Sequence, residues 1–321
     1  MSLSIFQQCL VFLEQSGIDQ VRILGGEPTL HPEFKKFMNL AMETGKRLFL
    51  FTNGLMPEKT LKFLAGLPRE RLNVMVNATA RFRMPESETV RRRSVLKKLG
   101  SRAMLSFTIY RPDVSLDGLL DLINGTTVER RIRLGLALPC LTEDNEWLHP
   151  RLYRFVGSSL VDFVVRAARQ KISVGLDCGF VPCMFSKSEI QTLKVCDADL
   201  NWNCSPILDI DPTGRVLHCF PLAKVISTNF PTGLDASTVR NYFREAGRPF
   251  RNGGIYKKCF RCDWKQANLC PGGCLAVILK RIRNCTVLEI PPKSQRLSNE
   301  RAFLPELRGP GGSEVREVTD L

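Results

Sequence analysis

The stretch Val21-Arg22-Ile23-Leu24-Gly25-Gly26-Glu27-Pro28-Thr29-Leu30-His31-Pro32 decides the reading of this chain. The apolar, partly β-branched run at its start reads as a strand over residues 20–24. Two consecutive glycines then clear the turn of side chains, so that a ligand can approach the backbone. Glu27 sets a carboxylate beside that bare turn, and Pro28, which lacks an N–H, closes the strand. Apolar residues at helical spacing resume over 33–44. His31 reads as a loop or helix-start residue between the two.

The same alternation extends along the first half. Further strands are expected at 48–51, 73–77, 103–109, 131–138 and 172–176. Helices are expected at 4–16, 58–65, 88–99, 116–122 and 151–170. Strand–helix repetition implies a parallel sheet with crossover helices. In such α/β folds the chemistry lies at the C-terminal ends of the strands. The first strand ends in residues 25–28, the second in Thr52-Asn53-Gly54 and the third in Asn77-Ala78-Thr79. One such cluster is an ordinary turn. Three on consecutive strands mark a ligand-binding edge.

Length and composition fit this reading. With 321 residues, 44% of them hydrophobic, the chain can bury a large domain and a smaller one. The first 17 residues have no basic region and no small-residue cleavage site, so they are not read as a signal peptide. No run is apolar enough to span a membrane, so no membrane partner is expected, and the cytoplasm is the expected compartment. The formal charge of +14 favours anionic partners. Part of it lies in Arg91-Arg92-Arg93, Lys97-Lys98 and Arg130-Arg131-Arg133, which read first as a solvated helix face. No aromatic-interleaved RNA motif accompanies them, so nucleic acid is not an expected partner.

Nine of the twelve cysteines fall between Cys178 and Cys274, and Cys285 follows. In a reducing compartment clustered cysteines are metal ligands rather than disulfides. Cys9 and Cys140, outside the cluster, read as small core residues. The chain therefore divides into a strand–helix unit over 1–177, a cysteine-rich module over 178–285 and a polar, mobile tail over 286–321. Soft thiolates suit iron–sulfur clusters or zinc.

Residues 21–32 resemble the second strand and following loop of the radical S-adenosylmethionine (SAM) enzymes. The resemblance implies a partial (β/α)6 TIM-like barrel lacking its first strand. In it Gly25, Gly26, Glu27 and Pro28 would meet the methionyl amine of SAM, joined by Thr52, Asn53 and Asn77 on the next strand ends. The cysteine-rich module resembles the SPASM or twitch type of auxiliary-cluster domain. Cys204, Gly214 and Cys219 form C-x9-G-x4-C, and Cys259, Cys262, Cys270 and Cys274 form C-x2-C-x7-C-x3-C, with Cys285 downstream. The middle gap of seven residues exceeds the family's usual five. The resemblance implies one or two auxiliary 4Fe–4S clusters. Cys204, Cys219 and Cys274 would share one with Cys196 or Cys183, and Cys259, Cys262, Cys270 and Cys285 would hold the other. Cys178 and Cys183 are open between ligands and reduced thiols beside the active site.

The family's catalytic cluster needs C-x3-C-x2-C, and the sequence contains no such motif. That loop is expected before Met1, through a truncation or a late-assigned start, and the chain by itself is expected to be inactive. The implied partners are an unidentified substrate, a peptide or protein by resemblance, and a reductant such as ferredoxin or flavodoxin. Two other readings stay open: a non-catalytic iron–sulfur scaffold, and a zinc-binding protein that uses the basic charge on nucleic acid.

Overall fold

Alternating burial builds the sheet. In the strand Arg47–Thr52 every second side chain is buried, starting at Leu48, while Phe49 and Phe51 stay half-exposed. The computed structural model describes residues 1–79, 86–141, 143–230, 233–282 and 288–289. Seven strands lie side by side in chain order: β1 (Gln20–Ile23), β2 (Arg47–Thr52), β3 (Leu72–Asn77), β4 (Ala103–Ile109), β5 (Arg131–Leu136), β6 (Ser173–Leu176) and β7 (Asp199–Leu200). All neighbouring pairs are parallel. The α/β class and the first six strands match the sequence reading to within two residues at each end. The two-residue β7 extends the sheet beyond Asp177.

Helices α1 (Leu3–Gln15), α2 (Phe34–Glu43), α3 (Glu58–Gly66), α4 (Glu86–Leu99), α5 (Asp117–Asn124), α6 (Tyr153–Arg169) and α7 (Lys187–Val195) alternate with the strands. Their apolar residues recur at helical spacing, as Phe34, Phe37, Met38 and Ala41 do on α2. They cover one face of the sheet. Leu48, Leu72 and Val74, together with Leu50, Leu105, Ile132 and Leu134, are completely buried there. The register puts the other residues on the opposite face. Phe49 pairs with Asn73, Phe51 with Met75, and Asn77 with Ser106, which pairs in turn with Arg133. That face is mixed and half-open, as the inside of a partial barrel is.

The basic clusters are only partly a solvated helix face. Arg91, Lys97 and Lys98 are exposed on α4, but Arg92 is buried and donates to the Asn53 carbonyl (2.9 Å). Arg130, Arg131 and Arg133 lie on or beside a strand. Arginines also cap helix ends, where carbonyls lack partners. Arg71 reaches the Met42 carbonyl (3.0 Å), Arg102 the Leu64 carbonyl (3.0 Å) and Arg130 the Gln170 carbonyl (2.7 Å).

Beyond the sheet, β8 (Asp209–Ile210), β9 (Val216–Leu217), β10 (Ile226–Thr228) and β11 (Leu288–Glu289) form a second, small sheet. β8 and β9 are a hairpin whose turn carries Gly214 at φ 88°, the glycine of C-x9-G-x4-C. β11 pairs with β10 and lies within the stretch read as a tail, most of which is outside the described residues. Helices α8 (Ala236–Gly247), α9 (Asp263–Gln266) and α10 (Leu275–Arg281) complete this region.

Two contacts fix the loop after β6 against α6. A side chain at Gly157 on α6 would lie 2.9 Å from the Met184 carbonyl carbon and closer still to its oxygen. Glu189 forms a capping box with Ser186 at the start of α7 and pairs with Arg154 of α6. Gly157→Ala should lower stability by about 1–3 kcal/mol through overpacking, measured by urea unfolding. The Arg154 guanidinium, helped by Ser186 and Ser158, holds the Glu189 carboxyl down to about 2. A depressed carboxyl stabilises the fold above its unfolded value of about 4.3. That contribution should therefore fade as pH falls from about 4.3 to about 2. Glu189→Gln should flatten the acid limb of a stability–pH profile in that window.

Candidate cofactor and metal sites

The strand ends expected to bind a ligand come together through Glu27. Its Oε1 accepts from the Thr29 N–H (3.2 Å), the Thr29 hydroxyl (2.6 Å) and the Thr52 hydroxyl (2.8 Å). Its Oε2 accepts from the Asn53 N–H (2.7 Å). One carboxylate thus ties the loop after β1 to the end of β2. An ionised carboxylate has about four lone-pair sites, so Oε1 is saturated and Oε2 keeps acceptor capacity.

Beside this clamp Gly25 and Gly26 are exposed with φ of 104° and 45°, a region side chains rarely adopt. A Cβ on either would meet no atom within 4 Å, so the backbone there faces open space. Pro28 opens a short 3₁₀ turn capped by Glu27. His31 accepts from the Glu33 N–H (3.1 Å) at the approach to α2.

The rim continues along the sheet. The Asn53 side chain accepts from the Leu55 N–H (2.8 Å) and that of Asn77 from the Thr79 N–H (2.9 Å). The Thr79 hydroxyl accepts from the Thr108 N–H (2.7 Å), joining the end of β3 to β4. Farther round, Arg133 pairs with Asp177 just after β6 and lies 3.6 Å from the Met75 sulfur. Burial pulls the Arg133 guanidinium below its ordinary value, against the opposing influence of Cys178. Arg22 on β1 sits 6.0 Å over the Phe49 ring. Sequence reading missed Arg22, Arg133 and Thr108 as rim or concave-face residues. Their strand parity was the available signal.

The cysteines of the C-terminal region fall into two groups. Cys183, Cys259, Cys262 and Cys270 line one cavity with Ile255 and Trp264. In the second group, Cys204 and Cys274 influence each other's thiol most strongly, and both lie within electrostatic reach of Cys178 and Cys219. The neighbouring Cys274 thiol and the Arg251 guanidinium pull the Cys204 thiol well below its ordinary range, while burial pushes Cys219 up. Cys196 ends α7, with its N–H on the Thr192 carbonyl (3.0 Å), and does not line the cavity. Cys285 lies outside the described residues. Cys9 is buried in α1, with its thiol pushed up to about 12 by burial.

Among the described residues no three His, Cys, Asp or Glu side chains gather tightly enough to hold a single metal ion. Buried polar atoms beside the thiols nevertheless lack partners: the Tyr153 hydroxyl, one Arg251 Nη and the His218 Nδ1. Tyr153 is within electrostatic reach of Cys274, Cys178 and Cys183. Soft thiols beside unpartnered donors suit an anionic, sulfur-containing group.

Residues 4–105 match the model of the radical SAM superfamily. The fold is similar to that of Streptococcus suis SuiB bound to S-adenosylmethionine, with 15% identity, 86% of this chain and 67% of that chain covered, and a TM-score of 0.56. SuiB bound to precursor peptide SuiA aligns with 14% identity over 68% of this chain and 53% of that chain, with a TM-score of 0.48. In the peptide-bound alignment this chain thus spans about half of SuiB, 53%. No curated protein sequence matches the chain.

Glu27→Gln should test the clamp, because an amide must turn its NH2 toward either Thr52 and Thr29 or the Asn53 N–H. A loss of about 1–3 kcal/mol in urea unfolding is expected. Unchanged stability would show that the carboxylate does not hold the two loops together.

Proposed function

From the match of residues 4–105 to the radical SAM superfamily model, we propose that this chain binds SAM at the β1–β2 rim and iron–sulfur clusters in its cysteine-rich region. The observation that carries the SAM reading is the bare Gly25–Gly26 backbone held open beside Glu27 by Thr52 and Asn53. The glycines leave room for an aminoacyl group, and the remaining lone pair of Glu27 Oε2 suits its ammonium. Asn77, on the next strand end, faces the same edge. SuiB, which shares the fold, is a protein bound to SAM in its own crystal structure.

When bound, a reduced 4Fe–4S cluster supplies the electron that cleaves the SAM sulfonium. The residues of the first half do not supply its three thiolates, since Cys9 and Cys140 are the only cysteines before Cys178. Cys204, Cys219 and Cys274 form the core of one auxiliary site, and Cys259, Cys262 and Cys270 that of a second. The thiolate-rich donor sets and the unpartnered Tyr153 and Arg251 groups favour clusters over an apolar core there. The substrate class is a peptide or protein, following the resemblance to SPASM-type enzymes, with a ferredoxin or flavodoxin as reductant.

Anaerobic reconstitution with ferrous iron and sulfide is the first test. Broad visible absorption with iron and sulfide in equal amounts is expected, whereas stoichiometric zinc without sulfide would overturn the cluster reading. Equilibrium dialysis with SAM tests the rim. Binding should weaken by at least tenfold in Gly26→Val, and equal affinity in both proteins would remove the rim from the site. Incubated with SAM and dithionite, this polypeptide by itself should yield no 5′-deoxyadenosine. Product from it would place a catalytic cluster on its own cysteines.

A further inference from the structure

We propose that the concave face of the parallel sheet holds a carboxylate of the substrate, an Asp or Glu side chain of a peptide, on the guanidinium of Arg22. This rests on the SAM reading of the β1–β2 rim and names the chemistry of the substrate that meets it.

Strand parity places the group. Val21 is buried against the helices, so Gln20 and Arg22 of β1 turn to the concave face. The register sets Arg22 beside Phe49 of β2, and Phe51 beside Met75 of β3. Side-chain contacts follow the same line. The Arg22 guanidinium carbon lies 6.0 Å over the Phe49 ring, and the Phe49 and Phe51 rings are 5.0 Å apart. Arg133 of β5 lies 3.6 Å from the Met75 sulfur. Arg22 is exposed, and both phenylalanines are half-exposed. The result is an open apolar floor with a cation at each end.

Charge pairing distinguishes the two ends. The register also brings Arg47, Arg131 and Arg133 to this face. Arg47 pairs with Asp19 (2.8 Å), Arg131 with Asp199 (2.7 Å) and Arg133 with Asp177. Among the described residues Arg22 pairs with no carboxylate, and its Nε donates to the Gln20 Oε1 (3.1 Å). That bond uses Nε alone, so both Nη groups keep their donors. Two parallel N–H donors match the two oxygens of a carboxylate. A fork already held at Nε and over an aromatic ring loses less side-chain freedom on binding than a free arginine.

The position of Arg22 separates this anion from the carboxylate of SAM. Three residues, about 10 Å of strand, lie between Arg22 and Gly25. The ammonium and carboxylate of an aminoacyl group are separated by a single carbon, so an ammonium at Glu27 keeps its carboxylate at the rim. Leu24, 51% exposed, stands between that rim and Arg22. A substrate seated on Phe49 and Phe51 therefore brings its own carboxylate to Arg22.

Isothermal titration of two capped tripeptides, acetyl-Phe-Glu-Phe-amide and acetyl-Phe-Gln-Phe-amide, into the full chain with excess SAM tests the assignment. The Glu peptide should bind about tenfold more tightly than the Gln peptide. Arg22→Gln should abolish that preference, and Arg131→Gln, which alters a paired arginine of the same face, should retain it. Equal binding of the two peptides, no binding of either, or a preference that survives in Arg22→Gln would each overturn the assignment. Equilibrium dialysis with SAM separates the two anions. Arg22→Gln should bind SAM as the unsubstituted chain does, and a tenfold loss would give the guanidinium to SAM itself and overturn the assignment. Failure of the unsubstituted chain to bind SAM would overturn the reading of the rim, whereas the peptide preference reports on Arg22 by itself.

Discussion

The carboxylate of Glu27 is the constraint on which the rim depends. It collects donors from its own loop and from the end of β2, with the Asn53 N–H at 2.7 Å and the Thr52 hydroxyl at 2.8 Å. Without it the two glycines that precede it would have no reason to hold one conformation, since glycine favours none strongly. The open backbone at Gly25 and Gly26 is thus held by a neighbour that is itself held by four donors. Arg92 supports the same point from below, because its guanidinium fixes the Asn53 carbonyl from within the core. A charged group so deeply buried is retained only where hydrogen bonds and an ion pair offset its desolvation, and Glu88 provides the latter at 3.3 Å.

Much of the basic character of the chain has internal uses. Arginines close the carbonyl ends of α2, α3 and α6, and others enter the core or the concave face of the sheet. The surplus is therefore weak support for a nucleic-acid partner. What reaches the concave face is more specific: Arg22 over an aromatic ring and Arg133 beside Asp177 and Cys178. These cations look across the half of the sheet that the helices leave uncovered, where an anionic carboxylate or phosphate would be attracted.

The cysteine-rich region depends on a different economy. Its strands are two or three residues long, too short to hold a fold by sheet pairing alone. Apolar packing of α10 and α8 supplies part of the cohesion, through Leu275, Ile278 and Phe243. The thiols lie around that packing, and the loop from Asp177 to Met184 carries two of them back onto the sheet. Metal bound there would couple the folding of this region to the rim of the parallel sheet.

Local periodicity determined most of the fold. Six strands, their helices and the polar strand ends were legible because side-chain alternation and helical spacing report which face of each element is buried. The residue types at 25–28 likewise pointed to a ligand-binding edge and the cysteine spacing to a metal module, and SAM entered only through the resemblance to a family. What the sequence could not settle is which distant groups meet. The partners of Glu27 on β2, the burial of Arg92 and the pairing of Arg133 with Asp177 each join separate elements, and nothing local records those contacts. The same holds for the thiols. Spacing along the chain shows which cysteines share a turn, but only the packing of the β6 loop against α6 brings Cys183 into one cavity with Cys259, Cys262 and Cys270. The short β7 escaped notice because two residues carry no period, and its place is set by the edge of the sheet it joins.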